Sequence, residues 1–155
     1  MDTRHSTPVD EAVLEQNKAI VTRLCDAANS HDIDLIASVI DQVVDPEVHN
    51  TTPLPVAGTG AEALKQVWAM LLTALPDIHV TIEELVAEGD RVVARNTVRG
   101  THRGVYLGRA GTGTRLTYGE MFSFRVDQGR VVEIAGVVDV AGQLRQLGLW
   151  PPARS

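Results

Sequence analysis

The chain has 155 residues, the length of one domain. Hydrophobic residues at 44% and charged residues at 22% are globular proportions, which exclude a disordered or fibrous chain. The net charge of −6, with no long basic run, argues against nucleic acid as a partner. The single cysteine, Cys25, excludes an intramolecular disulfide and a cysteine-built metal site. No stretch reaches the roughly 18 apolar residues of a membrane span. The segment from Met1 to Pro8 lacks the apolar centre of a signal peptide, so no membrane partner and a cytoplasmic location are expected.

In chain order, Thr7, Pro8 and Asp10 form a helix start, with a cap, a first-position proline and a first-turn acid. Val13, Leu14, Ile20, Val21, Leu24, Cys25 and Ala28 follow at helical spacing. Asn29 to Asp32 break that helix. A second helix carries Leu35, Ile36, Val39, Ile40 and Val43 inward, and Asp45-Pro46 is expected to end it. Residues 47–60 read as a loop with a short strand from Val48 to Thr51. Thr59 and Glu62 fit a capping box. The third helix presents Leu64, Val67, Trp68, Leu71, Leu72 and Leu75 as a broad stripe, and Pro76 stops it.

The second half alternates with period two, the mark of strands. Ile78, Val80 and Ile82 share one face of the first such segment. Glu88-Gly89-Asp90 turns the chain into strand 91–102, where Ala94, Asn96, Val98 and His102 share a face. Residues 103–114 are a glycine-rich loop. Strand 115–126 puts Tyr118, Glu120, Phe122 and Phe124 on one side, and Asp127-Gln128-Gly129 turns into strand 130–138. Asp139 caps a last short helix, Gly142 to Leu147. Three helices followed by four antiparallel strands give an α+β fold. The expected shape is a curved antiparallel sheet closed by the helices into a cone-shaped barrel, with a small-molecule pocket between the layers. One domain spans 1–155, with flexible ends at 1–8 and 150–155.

Five segments in this order resemble a known family: Asn17 to Val21, Pro76 to Glu83, Glu88 to Val93 with Gly100 to Gly104, Asp127 to Val131 with Gly136 to Val140, and Leu144 to Gly148. The family is the SnoaL-like polyketide cyclases, within the nuclear-transport-factor-2-like fold, and the resemblance covers residues 15–148. It implies an α+β barrel with an apolar cavity and no metal or organic cofactor. In the family's cyclases an aspartate on the last long strand takes and returns a proton during an aldol closure. The matching position here is Gly136. A histidine two residues earlier is matched by Ile134, a strand histidine by Phe122, and a neighbouring glutamine by Glu120. The asparagine of the loop after the second helix is retained as Asn50. Loss of the aspartate also suits a hydroxylase-like branch of the family.

Glu120 is the leading acid/base candidate, since a carboxyl on an apolar wall holds its proton to higher pH. Its blander role is an arginine partner or a wet strand end. His102 could shuttle a proton, or could simply be a partly exposed hydrogen-bonding residue at a strand end. Asn50 and Asn96 could steady a developing oxyanion. Loop chemistry is the ordinary alternative for Asn50. Trp68, Leu64, Leu71, Leu72, Tyr118, Phe122, Phe124, Ile134, Gly136 and Val138 would line the pocket, although such stripes more often only pack a core.

The expected activity is cofactor-independent acid/base cyclisation or rearrangement of a polycyclic intermediate. Hydroxylation and non-catalytic binding are the alternatives. The five histidines lack metal-site spacing, and Gly108 to Gly113 is followed by no helix, so neither a zinc site nor a phosphate loop is expected. The outer sheet face, with Val93, Val131, Ala135 and Val137, is expected to pair two copies of the chain.

Overall fold

The 3.6-residue stripes of the first half fold as helices and the alternating segments fold as strands. The computed structural model describes residues 8–52 and 54–151. Among them the order is α1 (Pro8–Asn29), α2 (Ile33–Val43), β1 (Val44–Asn50), α3 (Gly60–Ala74), β2 (His79–Glu88), β3 (Arg91–Thr101), β4 (Arg115–Asp127), β5 (Arg130–Val138) and α4 (Val140–Gln146). Pro8 opens α1 as expected, while Thr7 and most of the two expected flexible ends lie outside the described residues. No described helix is long and apolar enough to cross a membrane.

Local chemistry sets several boundaries. The Asp32 carboxylate accepts from the Asp34 and Leu35 N–H groups and starts α2. Asp139 does the same for α4 by accepting from Gly142 N–H at 2.8 Å. Gly89, Gln128 and Gly129 have positive φ, which the two tight hairpin turns require.

The strands form one mixed sheet in the order β1-β5-β4-β3-β2. β2 to β5 pair antiparallel, whereas β1 runs parallel to β5. This corrects two expectations. The sheet is mixed rather than wholly antiparallel, because β1 joins it in parallel, and it is open, with β1 and β2 as edges, rather than closed into a barrel. The first strand is also longer than the expected Val48 to Thr51. It starts at Val44, directly after α2, and includes Asp45 and Pro46. Its register slips between Val44 and His49, so Pro46, which has no N–H to donate, sits in an edge-strand irregularity. Nor does the capping box form. Thr59 makes no side-chain cap bond, and Glu62 holds Lys65 instead. Between them Gly60 turns at φ +61, and a Cβ there would stand 2.3 Å from the Pro46 carbonyl oxygen. Glycine thus lets α3 start against β1.

The helices cover one sheet face. Beneath α2, Ile36, Val39, Ile40 and Val43 pack with Val44, Val48, Val126, Val131 and Ile134. A second cluster joins Ala74, Leu75 and Ile78 to Val98, Leu116 and Tyr118. Trp68 and Leu72 pack against both. Val131 is therefore a core residue, 0% exposed, and not part of the outer face. A register shift between Arg125 and Val126 reverses the alternation at that end of the hairpin.

Candidate active site

Cross-strand register arranges the helix-covered face in rows. Asn96 lies opposite Glu120, and Glu120 opposite Val138. The next row runs Ala94, Phe122, Gly136, and the one beyond it Val92, Phe124, Ile134, Asn50. On the other side of Glu120 stand Val98 and Tyr118. The sheet thus brings Asn96 and Glu120 together. Asn50, at the end of β1 rather than in a loop, is two rows and two strands from Glu120. Its Oδ1 is buried without a partner.

The Asn96 side-chain N–H donates to Glu120 Oε1 at 3.0 Å. Asn96 is only 9% exposed, and its Oδ1 has no partner. Burial pushes the Glu120 carboxyl above the usual range, and the Asn96 bond draws it part of the way back. The surroundings are apolar: Trp68, Leu64, Leu71, Leu72, Phe122 and Phe124 are all half-buried rather than sealed. Val138, beside Glu120, is 36% exposed. Two open surface concavities lie away from these residues. One, of about 390 Å³, lies between α1 and Leu85, and one of about 360 Å³ lies between Arg109 to Thr112 and Leu147 to Leu149.

His102 sits beyond Tyr118, fully buried below the 103–114 loop. Its Nδ1 meets Thr112 Oγ1 at 2.9 Å, and its ring stands edge-on to Tyr106. Nε2 has no partner. Strand β3 ends at Thr101, but His102 N–H still donates to Thr114 O at 2.9 Å and its side chain stays on the buried side with Asn96 and Val98.

Three groups were not singled out from the sequence. The Tyr106 hydroxyl donates to Gln143 Oε1 at 3.0 Å. Gln143 is fully buried with its Nε2 unpaired. Cys25, on α1, lies close enough for the Glu120 charge to act on its thiol. Tyr118 could have been promoted from lining to polar group, since it is two residues from Glu120 on the same face. Tyr106 and Gln143 carry no periodic signal. Among the described residues no cluster of three or more histidine, cysteine or acidic side chains could hold a metal ion.

An open α+β sheet carrying one acid on its helix-covered face defines a class of fold with known relatives. The SnoaL-like polyketide cyclase model matches residues 18–147, and the chain belongs to that family. It is similar to AclR of Streptomyces galilaeus, a candidate hydroxylase, at 25% identity and TM-score 0.76, covering 92% of this chain and 87% of that one. It is similar to IdmH of Streptomyces antibioticus, a candidate polyketide cyclase, at 26% identity and TM-score 0.73, covering 86% and 99%. A SnoaL-like protein of Jannaschia, at 23% identity, shares the fold with TM-score 0.79 over 96% and 99% of the two chains. No protein among curated sequences matches the chain.

Proposed function

We propose that the chain is a cofactor-independent acid–base enzyme acting on a polycyclic, oxygenated intermediate of the polyketide type. The observation that carries this reading is the Glu120 carboxyl, half-buried on an apolar face and bonded by Asn96 at 3.0 Å. A carboxylate whose affinity for a proton is raised by burial is a better base once ionised, and a usable acid nearer neutrality. Glu120 moves the proton and Asn96 positions it. His102, sealed from ligand, does not. Trp68, Leu64, Leu71, Leu72, Phe122, Phe124, Ile134 and Gly136 supply a flat, apolar wall, with Val138 at its rim. Ring closure through an enolate is the reaction this favours. Hydroxylation is the second reading, favoured by the similarity to AclR and by Gly136 standing where the family resemblance implies an acid.

The test needs no natural substrate. 2-Tetralone, a bicyclic ketone with acidic C–H groups, is incubated with protein in deuterated water. Protein-dependent deuterium uptake that is lost in Glu120→Gln is the expected result. Saturable binding of the ketone without exchange would indicate a non-catalytic binding module and overturn the enzyme reading.

A further inference from the structure

We propose that the concavity between the 103–114 loop and the end of α4 is a second ligand site, built for an aromatic monocarboxylate of one or two rings. It is separate from the Glu120 face and does not depend on the acid–base reading of that face.

Charge singles out this end of the molecule. The chain carries a net −6, yet from Arg91 to Gly119 it has no acidic residue and six arginines. Two of the six are spent on β3, Arg91 on Glu133 and Arg95 on Glu84. Arg115 acts on Asp77. Among the described residues Arg103 and Arg109, both exposed, hold no ion pair. From α4 the exposed Arg145 adds its guanidinium, set over the Trp150 ring at 5.7 Å. A positive end on an acidic protein draws anions to it.

The concavity has a volume of about 360 Å³ and is lined by Arg109, Ala110, Thr112, Leu147 and Leu149. That volume is at the small end of ligand pockets, which suits one or two rings and not a tetracyclic body. Arg109 is its one charged lining residue. A single arginine matches a single carboxylate, which its parallel N–H groups hold as a fork. Leu147, Leu149 and Ala110 offer the apolar surface for the rings.

Backbone geometry fixes both walls before any ligand arrives. Leu107 and Gly108 take φ +51 and +72, and Tyr106 and Arg109 exchange N–H···O bonds of 2.9 Å in each direction. This is a two-residue turn of the primed type. Glycine adopts such a φ freely, whereas a leucine there is strained, and the strain is tolerated because the turn sets Arg109 in place. Thr112 is pinned from behind, where its Oγ1 meets Nδ1 of the fully buried His102 at 2.9 Å. On the opposite wall Gly148 turns at φ +74. Its N–H donates to the Arg145 carbonyl at 3.0 Å, and the Leu149 N–H donates to the Leu144 carbonyl at 2.8 Å. That pair of bonds is a Schellman turn, which fixes Leu147 and Leu149 on either side of the glycine. It also occupies carbonyls that would otherwise repel an anion at a helix C-terminus. The Tyr106 hydroxyl donates to Gln143 Oε1 at 3.0 Å and so ties the loop to α4. A site with walls already ordered loses little in ordering them on binding.

The test titrates 2-naphthoate into the whole chain and follows backbone amides by NMR. 2-Naphthamide serves as the neutral match and acetate as the head group alone. Naphthoate should bind with a dissociation constant of about 1 mM or below, ordinary for a ligand of this size. The Ala110, Thr112, Gly148 and Leu149 amides should shift. Naphthamide should bind about tenfold more weakly, the size of one charge-assisted hydrogen bond. Arg109→Gln should weaken naphthoate about tenfold and leave naphthamide unchanged. Arg109→Lys should cost about threefold, because an ammonium keeps the charge and loses the fork. Leu149→Ala should weaken both aromatic probes about threefold, through lost apolar contact. Arg99→Gln removes an exposed charge on β3 that does not line the concavity, and should change nothing. No saturation by about 10 mM naphthoate would overturn the site. So would shifts confined to the helix-covered face around Glu120, undiminished binding in Arg109→Gln, or an equal loss in Arg99→Gln, which would reduce the effect to net charge. Naphthamide or acetate binding as tightly as naphthoate would overturn the ligand class.

Discussion

The Phe122 ring lies over Gly136, so that a Cβ on Gly136 would stand 2.2 Å from the ring Cδ1. The two residues are directly opposite on β4 and β5. Ring and side chain cannot share that space, which is the physical reason an acid at position 136 is incompatible with Phe122. The glycine backbone is also fixed from the residues after β1: its N–H donates to Thr52 Oγ1 at 2.9 Å, and that hydroxyl donates back to the Gly136 carbonyl at 2.8 Å. Gly136→Ala should therefore lose roughly 1–3 kcal/mol of stability, the usual cost of overpacking. In a Phe122→Leu background most of that loss should vanish. A double-mutant cycle by denaturant unfolding measures the coupling, and strictly additive losses would show that the ring is not the obstacle.

Glu120 makes stability depend on pH in a defined direction. Its folded-state pKa lies above the unfolded value because burial disfavours the carboxylate. The folded chain therefore holds this proton to higher pH than the unfolded chain does. The resulting stabilisation is complete below the unfolded pKa and is lost as pH rises through the folded one. Glu120→Gln should remove this fall, which amounts to about 1.4 kcal/mol for each pH unit separating the folded and unfolded titrations. Asn96→Leu should raise the Glu120 titration further, because it removes the N–H bond that holds the pKa down. Carboxyl NMR of Glu120 across the acidic range checks both points. A titration that moves down in Asn96→Leu would contradict the assigned role of that bond.

The alternation of Asn96 and Glu120 on β3 and β4 was legible because both strands keep register along their central stretch. Period-two patterning places such residues on one face, and antiparallel pairing then sets them opposite each other. The same patterning misplaced Val131, because one slip of register between Arg125 and Val126 turns its side chain inward. It also missed most of β1, where Pro46 punctuates the sequence like a helix end. A parallel edge strand with a slip between Val44 and His49 has no clean alternation to read. His102 keeps the buried side that alternation gives it, but its contact with Thr112 comes from the loop that follows, which has no period to read. Tyr106 and Gln143 meet only through tertiary folding, between a loop and a seven-residue helix. Nothing local in either segment announces that contact.

Cys25 reports on the charge of Glu120. Burial is the main cause of its raised pKa, pushed up to about 11, with Asp26 and Glu120 adding like-charge repulsion and Asn29 opposing it. At pH 8 only about one thiol in a thousand is then ionised, so iodoacetamide should modify native protein very slowly. Glu120→Gln removes one of the raising charges and should speed alkylation at pH 8 to 9 by a few-fold, since lowering a pKa by one gives about tenfold more thiolate. Asn29→Ala should act oppositely, because the Asn29 side-chain N–H stabilises the thiolate. Mass spectrometry of timed samples gives the rates. Equal rates in the parent and Glu120→Gln proteins would mean that the carboxyl does not face the thiol.

The outer face of the sheet is expected to carry a second copy of the chain. Val137 is 70% exposed and Val86 61%, so both present apolar side chains to water on this face. Met121 lies opposite Val137, and Val93 lies between Val86 and Ser123, so these apolar groups occupy neighbouring positions across four strands. Ion pairs flank them, Arg95 with Glu84 at 3.3 Å and Arg91 with Glu133 at 3.2 Å. An apolar centre with a charged rim is the anatomy of a protein interface. Light scattering on a sizing column should give twice the chain mass, and Val137→Lys should return the monomer, since it sets a charge within the apolar centre. The substitution touches no residue of the helix-covered face, so stability at monomer-only concentrations should stay within about 0.5 kcal/mol of the parent. A parent chain that runs as a monomer at every concentration would leave this face without the partner assigned to it.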